Sequence, residues 1–246
     1  MDRMLYVAMT GARQMLNAQA MVSHNLANAN TTGFRADLES VRAMPVYGAG
    51  LPTRAFAMTE RSAVDHTPGS IEQTGNPLDF AVDGDGYFAV LGPDGTEAYT
   101  RNGDFQVSVN GLLTTRTGLP VLGEGGPITL PVSEQVVVAR DGTISVRPLG
   151  QQANALAQVD RIKLVRPEPG ELDKSEDGLF RLPEGRTAPP DAAVHVVQGA
   201  LESSNVNSVD QLIDLMNYQR QYELAVKAMK TASDIESASS QMMRLS

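Results

Sequence analysis

No cysteine occurs among the 246 residues. Disulfides, thiolate-ligated zinc and thiol catalysis are therefore excluded. Tryptophan is absent as well, and aromatic residues make up only 5% of the chain. An apolar fraction of 41% still allows a packed core, though a light one. No run approaches the ~18 apolar residues that a membrane-spanning helix needs. The opening stretch, Met1 to Leu16, lacks a long apolar centre and a small-residue cleavage site, so it is not read as a secretory signal. A basic surplus is missing too. The net charge of −9 argues against binding a phosphate backbone.

Proline and glycine are also missing from Ser208 to Leu245, and there the chain carries a helical period. Leu215, Tyr218, Tyr222, Ala225, Met229 and Ala232 fall on alternating steps of three and four. Leu224, Ala228, Ile235, Ala238, Met242 and Leu245 form a second row beside them. The pattern predicts one long helix with a wide apolar stripe. Ser208 with Gln211 reads as the capping box that starts it. Such a helix would span roughly 55 Å at its ordinary rise. That is long for a domain of this size, so the stripe is expected to need a partner.

The first thirty residues mirror this arrangement. Leu5, Ala8, Ala12, Met15, Gln19, Val22, Leu26 and Ala29 keep a heptad spacing with one polar member, Gln19. Gly33 is the expected helix stop, supplying a left-handed cap. Asn25, Asn28 and Asn30 compete for backbone hydrogen bonds and are read as a shaped helix end. Charge follows the same division. The terminal segments are near neutral, while the middle carries most of the acidic excess. Low charge at the ends suits close self-packing.

Between the ends, residues 36–77 are punctuated by Pro45, Pro52, Pro68 and Pro77 and read as an extended, partly paired connection. Residues 78–198 read as a β domain of short hairpins. Turns are expected at Asp83–Gly86, Asn110–Gly111 and Asp141–Gly142, each between apolar runs. Further strands are expected at Arg161–Val165, Leu179–Leu182 and Val194–Gln198, and loops at Pro167–Gly170 and Arg186–Pro190. The fold class is α+β: terminal helices in residues 1–35 and 199–246 around a central all-β domain.

Candidate chemistry is thin. The Asp83-Gly-Asp-Gly86 run lacks the further oxygen ligands of a calcium loop and reads as a turn. Asp83 and Asp85 could serve as a carboxylate pair in a secreted β-rich cell-wall glycosidase, the competing reading from another class. His24, His66 and His195 lie on different kinds of element, with no spacing for zinc or a triad. Ser203 and Ser204 lack a nucleophile-elbow setting, and Gly123-Glu-Gly-Gly126 lacks the lysine of a phosphate loop. No catalytic residue, cofactor or metal is assigned.

Three signatures, carried by five runs, are familiar. Asn25-Leu-Ala-Asn-Ala-Asn-Thr-Thr-Gly-Phe34 with Arg35 resembles the N-terminal signature of bacterial flagellar rod and hook proteins. Gly199-Ala-Leu-Glu-Ser-Ser-Asn-Val-Asn207 resembles their C-terminal signature. Thr74–Asp79, Gly84–Phe88 and Tyr99–Gly103 resemble their shared β domain. The opening Met-Asp-Arg, the Ala8–Ala12 run and the modest length resemble proximal-rod members, with distal rod or hook-type subunits as the alternative.

The resemblance implies paired terminal helices in an inner coiled-coil domain and an outer β domain. It implies export by the flagellum's own apparatus without a cleaved signal, and helical assembly into the rod that crosses the periplasm. Partners would be further copies and neighbouring rod proteins, with no nucleic acid, small-molecule substrate or membrane span. The assembly interface is expected on Leu5, Ala8, Ala12, Met15, Val22 and Leu26, with Asn25 and Asn28 shaping the exit. On the second helix it is expected on Leu215, Tyr218, Tyr222, Ala225, Met229, Ala232, Ile235 and Met242. A soluble adaptor using the C-terminal helix is a further alternative. Stripes without a partner in one chain should leave the ends disordered until assembly.

Overall fold

The structure, a computed structural model, describes residues 2–38, 41–45, 55–59, 63–148, 156–175 and 177–244. The fold is α+β, with a helix at each end and a β-rich middle. Two compact units divide the chain. The first comprises Met1–Ala29, Ala36–Asp65 and Val206–Ser246, and the second Asn30–Arg35 and His66–Asn205. Within the sequence-based segments, residues 66–77 and 199–205 thus fall with the β-rich unit, as do residues 30–35.

In the first unit, helix α1 runs Asp2–Ala27 and helix α2 runs Ser208–Arg244. The two lie against one another. Asn25, near the end of α1, reaches Gln211 in the first turn of α2 at 3.4 Å, so they run antiparallel. Two short antiparallel pairs complete the unit: Asp37–Leu38 with Ala63–Val64, and Val41–Pro45 with Ala55–Thr59. Residues 46–54 of the connecting segment lie outside the described residues, as does Leu245 of the second apolar row.

Both expected helix ends are corrected. The cap of α2 is Asn207, not Ser208. Its Oδ1 accepts the Val209 N–H at 3.0 Å, and its carbonyl accepts the Gln211 N–H at 3.1 Å. Asparagine reaches a free first-turn donor as well as serine does, and here it sits one residue earlier. Helix α1 stops at Ala27, well before Gly33. The Asn28 N–H is shared between the carbonyls of His24 (3.2 Å) and Asn25 (3.1 Å), and its side-chain amide donates to His24 O at 3.0 Å. The asparagines therefore end the helix without glycine.

In the second unit the largest sheet has five strands, in the order Leu164–Val165, Tyr87–Leu91, Glu97–Thr100, Phe180–Arg181, Asp173–Lys174. Ser133–Val138, Thr143–Pro148 and Ala157–Arg161 form a three-stranded sheet. Phe80, Phe88, Val90, Phe105, Leu113, Val121, Ile128, Ile144, Ile162 and Val196 close the core. Phe105 packs between Phe80, tilted to it, and Phe88, edge-on to it, with ring centroids at 5.5 and 5.2 Å.

Two of the three expected hairpins are present, Phe105–Val107 with Leu113–Thr115 and Ser133–Val138 with Thr143–Pro148. The turn at Asp83–Gly86 makes none. Phe80–Asp83 pairs with His195–Gln198, and Tyr87–Leu91 pairs with Glu97–Thr100. Gly84 (φ +84°) and Gly86 (φ +151°) redirect the chain from one sheet to another. The real hairpin closes at Gly92–Gly95, where the Gly92 N–H donates to Thr96 O at 2.8 Å. The pairing of Ile71–Gln73 with Ala200–Glu202 was also illegible, since the partners lie 127 or more positions apart, as Ala200 and Gln73 do.

Candidate assembly surfaces and the junction of the signatures

The two helices each present more than one apolar row. On α1, Ala12, Ala18 and Val22 are buried, and Leu5, Ala8, Met15, Gln19 and Leu26 are half-buried. On α2, Leu215, Tyr218, Tyr222, Ala225 and Met229 are half-buried and Ala232 is buried. These are the first rows read from the sequence, and within one chain they are already partly covered. The expectation that the stripes lack any partner in a single chain is thereby corrected. The second row of α2 behaves differently. Leu224, Ile235 and Met242 are exposed, with Met242 at 69%. Tyr6, Met9 and Leu16 on α1 and Val209, Leu212, Ile213 and Met216 on α2 are also exposed.

Length explains part of this. Helix α1 has 26 residues and α2 has 37. At the standard rise α2 is longer by about 16 Å. The antiparallel register sets the first turn of α2 beside the end of α1, so the excess falls at the C-terminal end, where Ile235 and Met242 lie.

Asn25 organises the other end of the pair. It is 2% exposed. Its Nδ2 donates to Asp37 O at 2.9 Å and its Oδ1 accepts the Asp37 N–H at 2.9 Å. A side-chain amide thus pairs with a backbone peptide as a strand would, while also touching Gln211. His24 Nδ1 lies 3.0 Å from Asp37 Oδ2 beside it. The reading of Asn25 as a helix-end residue holds, with a wider role: it joins α1, the Asp37–Leu38 strand and α2.

Sequence reasoning missed a second cluster. Inside the second unit, Arg35, Arg101 and Glu202 are each no more than 2% exposed. Arg35 Nη2 lies 2.8 Å from Glu202 Oε1, and Arg101 Nη1 lies 3.4 Å from Glu202 Oε2. Both contacts are ion pairs by distance, although neither N–H is aimed for a hydrogen bond. The aimed bonds go elsewhere. Arg35 Nη1 donates to Thr67 O, Arg101 Nη2 donates to Gly84 O at 2.7 Å, and the Gly69 N–H donates to Glu202 Oε1 at 2.9 Å. Arg101 also sits over the Tyr87 ring at 5.3 Å. Burial is the main cause that draws the Arg101 guanidinium below its ordinary value, with Glu202 opposing and Arg35 adding to it. Burial likewise raises the Tyr87 hydroxyl. Removing the carboxylate would strand two buried cations, a loss of about 3–5 kcal/mol. Each of the three signatures contributes one member of this cluster. That was the available signal, but nothing in one sequence says that they meet.

The residues weighed for chemistry do not converge. Asp85 is exposed and pairs with Arg166 at 2.8 Å, while Asp83 stands opposite His195 in a strand pair. His66 Nδ1 lies 3.0 Å from the Tyr87 hydroxyl, far in sequence from His24 and His195. Ser203 Oγ lies 2.8 Å from Ser70 Oγ. Among the described residues no cluster of His, Asp or Glu could hold a metal ion, and no helix is long and apolar enough to cross a membrane.

Comparison with known proteins follows the same three-part division. Residues 5–35 match the family described as flagella basal body rod protein. Residues 81–146 match the flagellar hook protein FlgE/F/G D1 domain, and residues 197–242 the C-terminal family of flagellar basal body rod FlgEFG proteins. The flagellar basal-body rod protein FlgF of Salmonella typhimurium is 42% identical over the full length of both chains. FlgF of Escherichia coli K12 is also 42% identical over both full lengths. FlgF of Caulobacter vibrioides is 34% identical over 96% of this chain and 95% of its own. Arg35, Arg101 and Glu202 fall one in each matched segment.

Proposed function

The chain belongs to the flagellar basal-body rod protein family and is a structural rod subunit similar to FlgF; from that premise we propose that it assembles through the apolar rows its own helix pair leaves uncovered. The observation that carries this is the exposure of Ile235 and Met242 on the part of α2 that outruns α1. Charged surface would disfavour close helix packing, and these rows are apolar. In this reading α1 and α2 pair as a short antiparallel coiled coil through Leu5, Ala8, Ala12, Met15, Val22 and Leu26 against Leu215, Tyr218, Tyr222, Ala225, Met229 and Ala232. Neighbouring copies and other rod proteins then cover the second rows. A self-contact that repeats without closing yields a helical tube and not a ring.

The basal-body setting of the relatives supports a place in the proximal rod, spanning the periplasm and reached through the flagellar export apparatus. The choice of proximal over distal rod rests on the FlgF relatives at 42% identity.

The test is the pair Ile235→Asp and Met242→Asp, made together in the full chain. Both sites are exposed in the single chain, so its helical signal and thermal midpoint should match the unmodified protein. Cells carrying the variant should fail to incorporate it into rods and should not swim. Normal swimming would remove these rows from the assembly surface.

A further inference from the structure

Residues 30–35 take part in no strand, yet side chains and backbone from several other segments hold them in the second unit. The Gly33 N–H donates to Glu202 O at 2.8 Å, and Phe34 O accepts the Asn205 N–H at 3.3 Å. Arg35 O accepts from Lys174 Nζ at 2.9 Å, and the same ammonium lies 4.0 Å over the Phe34 ring. A Cβ at Gly33 would come within 2.4 Å of the Arg101 carbonyl carbon, so the segment lies directly on that backbone. We infer that residues 30–35 are a detachable strap, locked onto the second unit by the Glu202 carboxylate and able to open as a piece while the β core stays closed.

Three observations carry this. First, the lock survives opening. Glu202 keeps the Gly69 N–H and Arg101, Arg101 keeps Gly84 O and the Tyr87 ring, and strand Ala200–Glu202 keeps its partner Ile71–Gln73. Second, the charges favour a separable piece. Without the strap, Arg101 and Glu202 form a one-to-one pair. With it, two buried guanidinium groups face one buried carboxylate. Third, the core cluster contains no residue of the strap. Opening therefore uncovers Phe34 and a polar cluster and takes no member of the apolar core cluster with it, which places it at the low-stability end of local openings. The strap lies in sequence between α1 and the Asp37–Leu38 strand, so opening gives slack to the chain on both sides of it. This inference does not depend on the assembly reading above.

Hydrogen exchange on the purified full chain, titrated with low urea, tests it. In the unmodified protein the Gly33 and Asn205 amides should exchange through an opening that responds weakly to urea. The core amides of Val121 and Ile128, bonded to Leu113 O and Val121 O, should respond strongly. One shared urea dependence would overturn the strap, because it would then open only with the core. In Glu202→Gln, exchange at Gly33 should accelerate by about tenfold or more while keeping its weak urea response, and trypsin should cut after Arg35 sooner; Val121 and Ile128 should keep their strong urea response. Unchanged exchange at Gly33, or an acceleration there that takes on the strong urea response of the core amides, would overturn the role of Glu202 as the lock.

Discussion

Single positions carry much of the specificity of this chain. Asn25 is the clearest case. An asparagine one turn from a helix end is ordinarily a weak, solvated cap, yet here both halves of its amide are used on the Asp37 peptide. Asn25→Ala would remove both of these hydrogen bonds to the part-buried Asp37 peptide, at about 1–3 kcal/mol. Urea unfolding followed by helical circular dichroism should show the loss. Gly33 is the second case. Its φ of +67° is left-handed, and the space beside it is filled by the Arg101 and Asn102 backbone. Gly33→Ala should therefore destabilise by more than about 1–2 kcal/mol, read as a lower urea midpoint for the second unit. The sequence pointed to Gly33 through its glycine and assigned it the wrong task. It is needed for close approach, while the asparagines end the helix.

At the scale of elements, the apolar rows divide by what covers them. The first rows of α1 and α2 are partly buried in one chain, while Leu224, Ile235 and Met242 of the second row of α2 are exposed. Substitutions in the two rows should therefore fail differently. Met229→Asp places a carboxylate in the half-buried row, where desolvation is costly. It should lower the stability of the helix pair by at least about 2 kcal/mol and abolish motility, while the core amides of the β unit stay protected. Swimming at the normal rate, or an unchanged helical midpoint, would count against the pairing row. The seam was legible because a period of three and four survives any register. The division between the rows was not, because it depends on where α1 ends relative to α2.

For the whole molecule, acid provides a test of the second unit. Side-chain hydrogen bonding from Arg181, at 3.1 and 2.8 Å, is the main cause holding the Asp177 carboxyl below its usual value. Thr96 and Thr143 lower Asp94 and Asp141 in the same direction, although these two are open to solvent. A depressed carboxylate contributes its stability in full above its unfolded value, about 3.9, and loses it as pH falls through the lower folded value. The urea midpoint of the second unit should thus be steady above about pH 5 and decline below about pH 4. Asp177→Asn should start lower at neutral pH and show a shallower decline. An identical slope in that variant would assign the acid sensitivity to other groups.

The sequence by itself determined the helices, the β-rich middle, two hairpins and the family. These are written in short-range patterns: periods of two and of three to four, Asn-Gly and Asp-Gly turns, and contiguous signature runs. The tertiary structure alone decided three other things. It led the Asp83–Gly86 turn from one sheet into another, pairing Phe80–Asp83 with His195–Gln198 and Tyr87–Leu91 with Glu97–Thr100. It brought Arg35, Arg101 and Glu202 into one buried cluster. It also left Ile235 and Met242 beyond the reach of α1. Each is a pairing between distant residues, and the free energy that selects such pairings comes from burial and charge in three dimensions, which no local pattern encodes.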